Sequence, residues 1–174
     1  DRAVDGASFA ADLDRALAAL AIDKVHIVGH SMGGAIAVYF AHWQPERVAS
    51  LTLIAPAGFG SEINAEFIDG FVRAQRRREM QEVLSLLVHD PSLVSRAMVE
   101  DVLRYKRLDG VQAALETLAR EWFPNGIQRE GLADMATHLK MPVQIIWGRD
   151  DRIIPPAHAE ALAGHVPVHI LDEA

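Results

Sequence analysis

Residues 24–43 read KVHIVGHSMGGAIAVYFAHW, and the change of character in the middle of this stretch decides the fold. Val25, Ile27 and Val28 are β-branched and suit a buried parallel strand. After Gly34 the run AIAVYFAHW is long enough for a buried helix, and it stops before Pro45. Between strand and helix stand Gly29, His30, Ser31, Met32 and Gly33, a G-x-S-x-G pattern in the setting that gives it meaning. In so tight a turn, side chains flanking the serine would collide with their surroundings, so glycine is expected at 29 and 33, with Gly34 behind them. The serine hydroxyl would then stand above the sheet at a helix N-terminus, and the Met32 N–H would face the same space as an oxyanion donor. The competing role for Ser31 is a plain N-cap. A cap needs neither the flanking glycines nor Gly34, so Ser31 is read as a nucleophile. His30 adjoins it, but a residue beside the nucleophile in such a turn points away. It is read first as a hydrogen-bonded packing histidine and second as a binding residue.

Outward from this stretch the chain alternates. Phe9, Leu13, Leu17 and Leu20 give residues 7–21 a helical stripe, with Asp12 and Asp14 toward its N-terminal end. A second strand, RVASLTLIAP, covers 47–56. Residues 61–123 then carry only helical patterns. Ile63, Phe67 and Phe71 recur at four-residue spacing, and Met80, Val83, Leu84, Leu87 and Val88 form one stripe. Asp90 and Pro91 read as the cap and first-turn proline of a further helix. Val111, Ala114, Leu115, Leu118 and Trp122 form another stripe, ended by FPNG. Strand character returns in MPVQIIWG at 141–148 and VPVHIL at 166–171, with a short helix near 156–163 between them. The expected fold is α/β: a mostly parallel sheet with helices on both faces, in two parts (1–57 and 141–174), and a helical cap at 58–140 over the carboxyl ends of the strands.

Composition narrows the function. The 174 residues are half hydrophobic, enough for one domain with a real core. A net charge of −7 argues against nucleic acid or an anionic membrane as partner. There is no cysteine, which excludes disulfides, thiolate metal sites and a cysteine nucleophile, and fits a reducing, cytoplasmic setting. No metal site is expected, and no apolar run approaches the ~18 residues of a membrane span. The opening DRAVDGASFAADLDRAL has no signal-peptide pattern and reads as the approach to a helix, so the domain is expected to begin upstream of Asp1.

A serine nucleophile needs a base, and the base an acid that fixes its tautomer. The acid belongs just after a later strand, where IIWGRDDRIIP offers Asp150 and Asp151. One of them must be a turn residue pairing with Arg149 or Arg152. The spacing of Gly148, Asp151 and Pro155 selects Asp151. In the order serine, acid, histidine, the base comes last, yet His158 opens a helix, His165 precedes the last strand and His169 lies within it. The base is therefore expected beyond Ala174, and the second oxyanion donor upstream of Asp1.

These residues resemble the α/β-hydrolase-fold family over nearly the whole chain: GHSMGG, LTLIAPAG, the helical cap and WGRDDRIIP. Within it, LTLIAPAGFGSEINAEFIDGFV and DPSLVSRAMVEDVLRYKRLDGVQAAL resemble the C-terminal domain of the dihydrolipoamide acetyltransferase component of acetoin dehydrogenase complexes. The resemblance implies acetyl transfer from a dihydrolipoyl group to coenzyme A, both as substrates with no tightly bound cofactor. It also implies a lipoyl domain and other complex components as partners. The H-x-x-x-D-G pattern of ordinary lipoamide acyltransferases is broken, with Tyr105 at the histidine position before Asp109 and Gly110, so that mechanism has no support. Lys24 opens a strand and is read as structural, not as a lipoylation site. Phe59 and Met32 are expected in the acyl-pocket wall, and Arg76, Arg77 and Arg78 either grip coenzyme A phosphates or form a solvated helix face. The alternatives are an α/β-hydrolase acting on esters, thioesters or diketone carbon–carbon bonds, and a non-catalytic binding protein of the same fold.

Overall fold

The computed structural model describes residues 3–129 and 131–174; Asp1, Arg2 and Glu130 lie outside the described residues. Helix α1 (Gly6–Ala19) is capped by Asp5, whose carboxylate accepts the Ser8 N–H. The acid at the positive end of the helix dipole is Asp5, further toward the N-terminus than Asp12 and Asp14. Those two sit a turn or more into the helix, where Asp12 pairs with Arg15 and Asp14 with Arg47. Strand β1 (Val25–His30) leads to α2 (Met32–Trp43), and β2 (Val48–Ile54) follows.

The insertion holds α3 (Ala65–Arg73), α4 (Arg77–Leu84), α5 (Arg96–Lys106), α6 (Val111–Trp122) and the short α7 (Leu132–Thr137). Strand β3 (Val143–Gly148), a 3-10 segment (Pro156–Leu162) and β4 (Val168–Leu171) complete the order. The four strands lie in chain order, β1-β2-β3-β4, and every neighbouring pair is parallel. All strand carboxyl ends therefore share one edge, and everything that follows a strand gathers there.

One face of the sheet carries the main core. Leu51, Leu53, Ile145 and Trp147 pack there with Phe40 of α2, Ala10 and Leu17 of α1, and Leu132 and Ala136 of α7. The other face bears His26, Val28, His30, Gln144, His169 and Leu171, all exposed, with Val28 at 67%. Among the described residues the helices packed on the sheet lie on the opposite face. Val25 and Ile27 face inward and Val28 outward, so β1 alternates where its β-branched run suggested burial on both sides.

The insertion has its own apolar cluster, Ala74, Met80, Leu84, Val94, Val99 and Leu103, apart from the main core. The 58–140 segment divides in its packing, since α7 joins the main core. The stripe through Val88 is not one helix. It breaks after Leu84 into a 3-10 turn at Ser85–Leu87, and Leu87 is exposed. Asp90 and Pro91 likewise open only a 3-10 turn, and Ser95 caps α5. Buried Lys106 ties α5 to the end of α3. Its ammonium donates to the Val72 carbonyl at 3.0 Å, the Ala74 carbonyl at 2.8 Å and the Phe71 carbonyl, satisfying groups that a helix end leaves open. Burial lowers the Lys106 pKa, and the three carbonyl dipoles favour its charged form.

Candidate active site

Ser31 stands between β1 and α2 with φ 52 and ψ −121, a backbone conformation that costs a non-glycine residue ~1–3 kcal/mol unless its surroundings enforce it. They do. The Ser31 N–H donates to the Ile54 carbonyl at 3.0 Å, and the Ser31 carbonyl accepts from Gly34, Ala35 and Ala57. The hydroxyl makes no capping bond to α2, which removes the plain N-cap role. Ser31 is half-buried and lines a cavity of about 420 Å³ at the carboxyl edge of the sheet. Met32 is the first residue of α2, so its N–H has no intrahelical acceptor and lies at the positive end of the helix dipole.

The glycines do different work. A Cβ on Gly29 would come within 2.6 Å of the Gly33 carbonyl oxygen, and one on Gly34 within 2.9 Å of Pro56 Cβ. A Cβ on Gly33 would meet nothing within 4 Å, so the expected crowding at that position is corrected. Gly29→Ala and Gly34→Ala should each destabilise by about 1–3 kcal/mol, as overpacked sites do. Gly33→Ala should be neutral or stabilising by up to ~1 kcal/mol through helix propensity. Thermal melts of the three variants check this ordering.

Asp151 lies after β3 and lines the same cavity. Its Oδ1 accepts the Ile153 N–H at 2.8 Å and the Ile154 N–H at 3.0 Å, and its Oδ2 accepts the Trp147 indole N–H at 3.2 Å. Asp150 also lines the cavity but points to solvent, and its carboxylate pairs with His89 at 3.0 Å. Its expected arginine partner is thus replaced by a histidine from the insertion, while Arg149 pairs with Asp172. Strand β2 separates β1 from β3, so the backbones carrying Ser31 and Asp151 are two strand spacings apart, about 10 Å. An imidazole hydrogen-bonded at both nitrogens spans roughly 7–8 Å, the same order as that spacing.

The remaining candidates divide. His30 is exposed and lines the cavity, so it is not a packing histidine. Phe59 is buried in the main core, and neither it nor Met32 is among the cavity's lining residues. The wall comes instead from Phe67 of α3, from Leu86, Leu87 and Val88, and from Ile146, Ile153 and Ile154. Arg76, Arg77 and Arg78 are exposed at the start of α4, away from the cavity lining, and Arg78 pairs with Glu82 at 3.0 Å. His158 is buried on the far side of Trp147, ring to ring at 6.3 Å, between Gln128 and Glu62. His165 and His169 do not line the cavity. The residue that sequence reading missed is His89. Its only sequence signal was its place just after a break in the helical stripe. Among the described residues, no cluster of three histidines or carboxylates could hold a metal ion, and no helix is long and apolar enough to cross a membrane.

A parallel sheet with a strained serine at its first strand–helix turn and an acid after its third strand defines a class. The family model for the alpha/beta hydrolase fold matches residues 5–171, and the chain belongs to that family. Over 153 residues it is 45% identical to a protein of Cupriavidus necator named the dihydrolipoyllysine-residue acetyltransferase component of the acetoin cleaving system. That match covers 88% of this chain and 41% of the relative. It is 31% identical over 149 residues to a 2-hydroxy-6-oxononadienedioate/2-hydroxy-6-oxononatrienedioate hydrolase of Paraburkholderia phymatum, covering 78% of this chain and 49% of that one. The chain thus spans less than half the length of either relative. A solved meta-cleavage product hydrolase from Pseudomonas fluorescens IP01 has the same fold, with a TM-score of 0.87 at 23% identity, over 100% of this chain and 65% of that one.

Proposed function

We propose that the protein transfers acyl groups through an acyl-enzyme on Ser31. The observation that carries this reading is a strained serine, free of any capping bond, opening on a cavity that Asp151 shares. In the first half-reaction the base takes the Ser31 proton and Oγ attacks the carbonyl carbon of a thioester. The developing oxyanion turns toward the Met32 N–H and the N-terminus of α2. The carbon–sulfur bond then breaks, and the departing sulfur receives the proton from the base. In the second half-reaction the acceptor thiol gives its proton to the same base and attacks the acyl-serine. Its carbon–oxygen bond breaks and Ser31 is restored. Asp151 holds the base, a histidine that belongs in the loop following β4, in its productive tautomer.

The similarity to the acetoin cleaving component supports acetyl-dihydrolipoamide as donor and coenzyme A as acceptor. On this reading a lipoyl domain and the other complex components are partners, and the setting is cytoplasmic. The exposed Arg76, Arg77 and Arg78 would meet the coenzyme only at its outer, phosphate-bearing end. The second reading is a hydrolase. It is favoured by a cavity of about 420 Å³ with a largely apolar wall, more room than an acetyl group needs, and by the 31% identical 2-hydroxy-6-oxononadienedioate/2-hydroxy-6-oxononatrienedioate hydrolase. Incubating the intact protein with acetyl-dihydrolipoamide, with and without coenzyme A, separates the two. Acetyl-coenzyme A formation far outpacing acetate release supports the transferase. Acetate release at the same rate without coenzyme A contradicts it.

A further inference from the structure

We infer that Trp147 is a positioning residue that acts through Asp151, an inference that rests on the acid role just proposed. Trp147, on β3, is the largest fully buried side chain among the described residues. What an apolar residue would not supply is the indole N–H. That donor is shared between Asp151 Oδ2 at 3.2 Å and the Ile154 carbonyl at 3.1 Å. The other carboxylate oxygen, Oδ1, takes two backbone N–H groups from Ile153 and Ile154. Backbone donors on Oδ1 alone would leave the carboxylate free to swing about that oxygen. A third donor on Oδ2 fixes its plane. The indole N–H takes one of the lone pairs of Oδ2, which leaves the other free to accept an imidazole N–H on the cavity side.

The indole is itself held from behind. The buried His158 ring meets it edge-on, with an interplanar angle of 89°. Gln128 holds the far side of this assembly, donating to the Glu62 carbonyl at 2.7 Å and accepting the Gly58 N–H at 2.9 Å. Gly60 lets the loop after β2 close over His158, since a Cβ there would lie 2.5 Å from its ring. The acid is thus fixed by a buried relay running from the loop after β2, through His158 and Trp147, to the cavity.

The test is a double-mutant cycle in the intact protein with Trp147→Phe and Asp151→Ala. It is read as p-nitrophenyl acetate turnover and as the rate of fluorophosphonate labelling of Ser31. A second variant carries 3-benzothienylalanine at 147, which keeps the ring volume and removes only the donor. Loss of one hydrogen bond to a charged group predicts a fall in kcat of roughly 10- to 100-fold with KM unchanged. In the Asp151→Ala background the same change at 147 should alter the rate less than about two-fold. Equal losses in both backgrounds would make Trp147 merely structural and overturn the inference. So would an unchanged rate for the benzothienyl variant. An unchanged rate for Asp151→Ala alone overturns the acid assignment beneath it, a result distinct from either.

Discussion

Ser31→Ala lowers p-nitrophenyl acetate turnover of the intact protein by about 10⁶-fold, the scale set by removal of the nucleophile from a coupled triad. The same substitution abolishes fluorophosphonate labelling. Its effect on stability is small, and the reason is local. Alanine at 31 inherits the same positive-φ conformation, and the serine hydroxyl gives up no capping bond when it is removed. The backbone bonds that enforce the turn, from Ser31 N–H to Ile54 and from Gly34, Ala35 and Ala57 to the Ser31 carbonyl, do not involve the side chain. A large loss of rate with an unchanged melting temperature therefore separates chemistry from folding. A variant that retains turnover within ten-fold of the wild type would contradict the nucleophile assignment.

Asp151→Asn has the second largest expected effect, a fall of about 10⁴-fold in kcat. The amide oxygen of asparagine can still accept from Ile153 and Ile154, so the loop keeps its shape while the carboxylate charge and the tautomer it selects are lost. Asp150→Asn provides the contrast. Asp150 is an exposed group whose partner is His89, and its loss should change kcat less than ten-fold. Steady-state kinetics of the two variants side by side checks the assignment. Equal effects at 150 and 151 would contradict it.

The elbow was legible because everything that makes it is local. An apolar strand, a glycine at 29, a serine and an apolar helix with a glycine at 34 all fall between Val25 and Trp43. Spacing alone singled out Asp151 over Asp150 in the sequence. The three donors that converge on its carboxylate were not legible there, because the Trp147 indole acts across the loop. The cavity wall could not be read at all. Leu86, Leu87, Val88 and His89 reach it only because the stripe through Val83 breaks after Leu84 and the insertion folds back over the strand ends. Phe59 misled for the same reason. Its closeness to the elbow in sequence and its hydrophobicity fit the core as well as a pocket, and the chain's path sends it inward.

The central claim is a covalent intermediate on one hydroxyl. It is tested most directly by acid-quenching the intact protein within a single turnover of acetyl-dihydrolipoamide, before coenzyme A is added, and measuring the mass of the peptide that contains Ser31. The peptide should gain the mass of one acetyl group and lose it when coenzyme A follows. Product formation with no acetylated Ser31 peptide at any time would contradict the account.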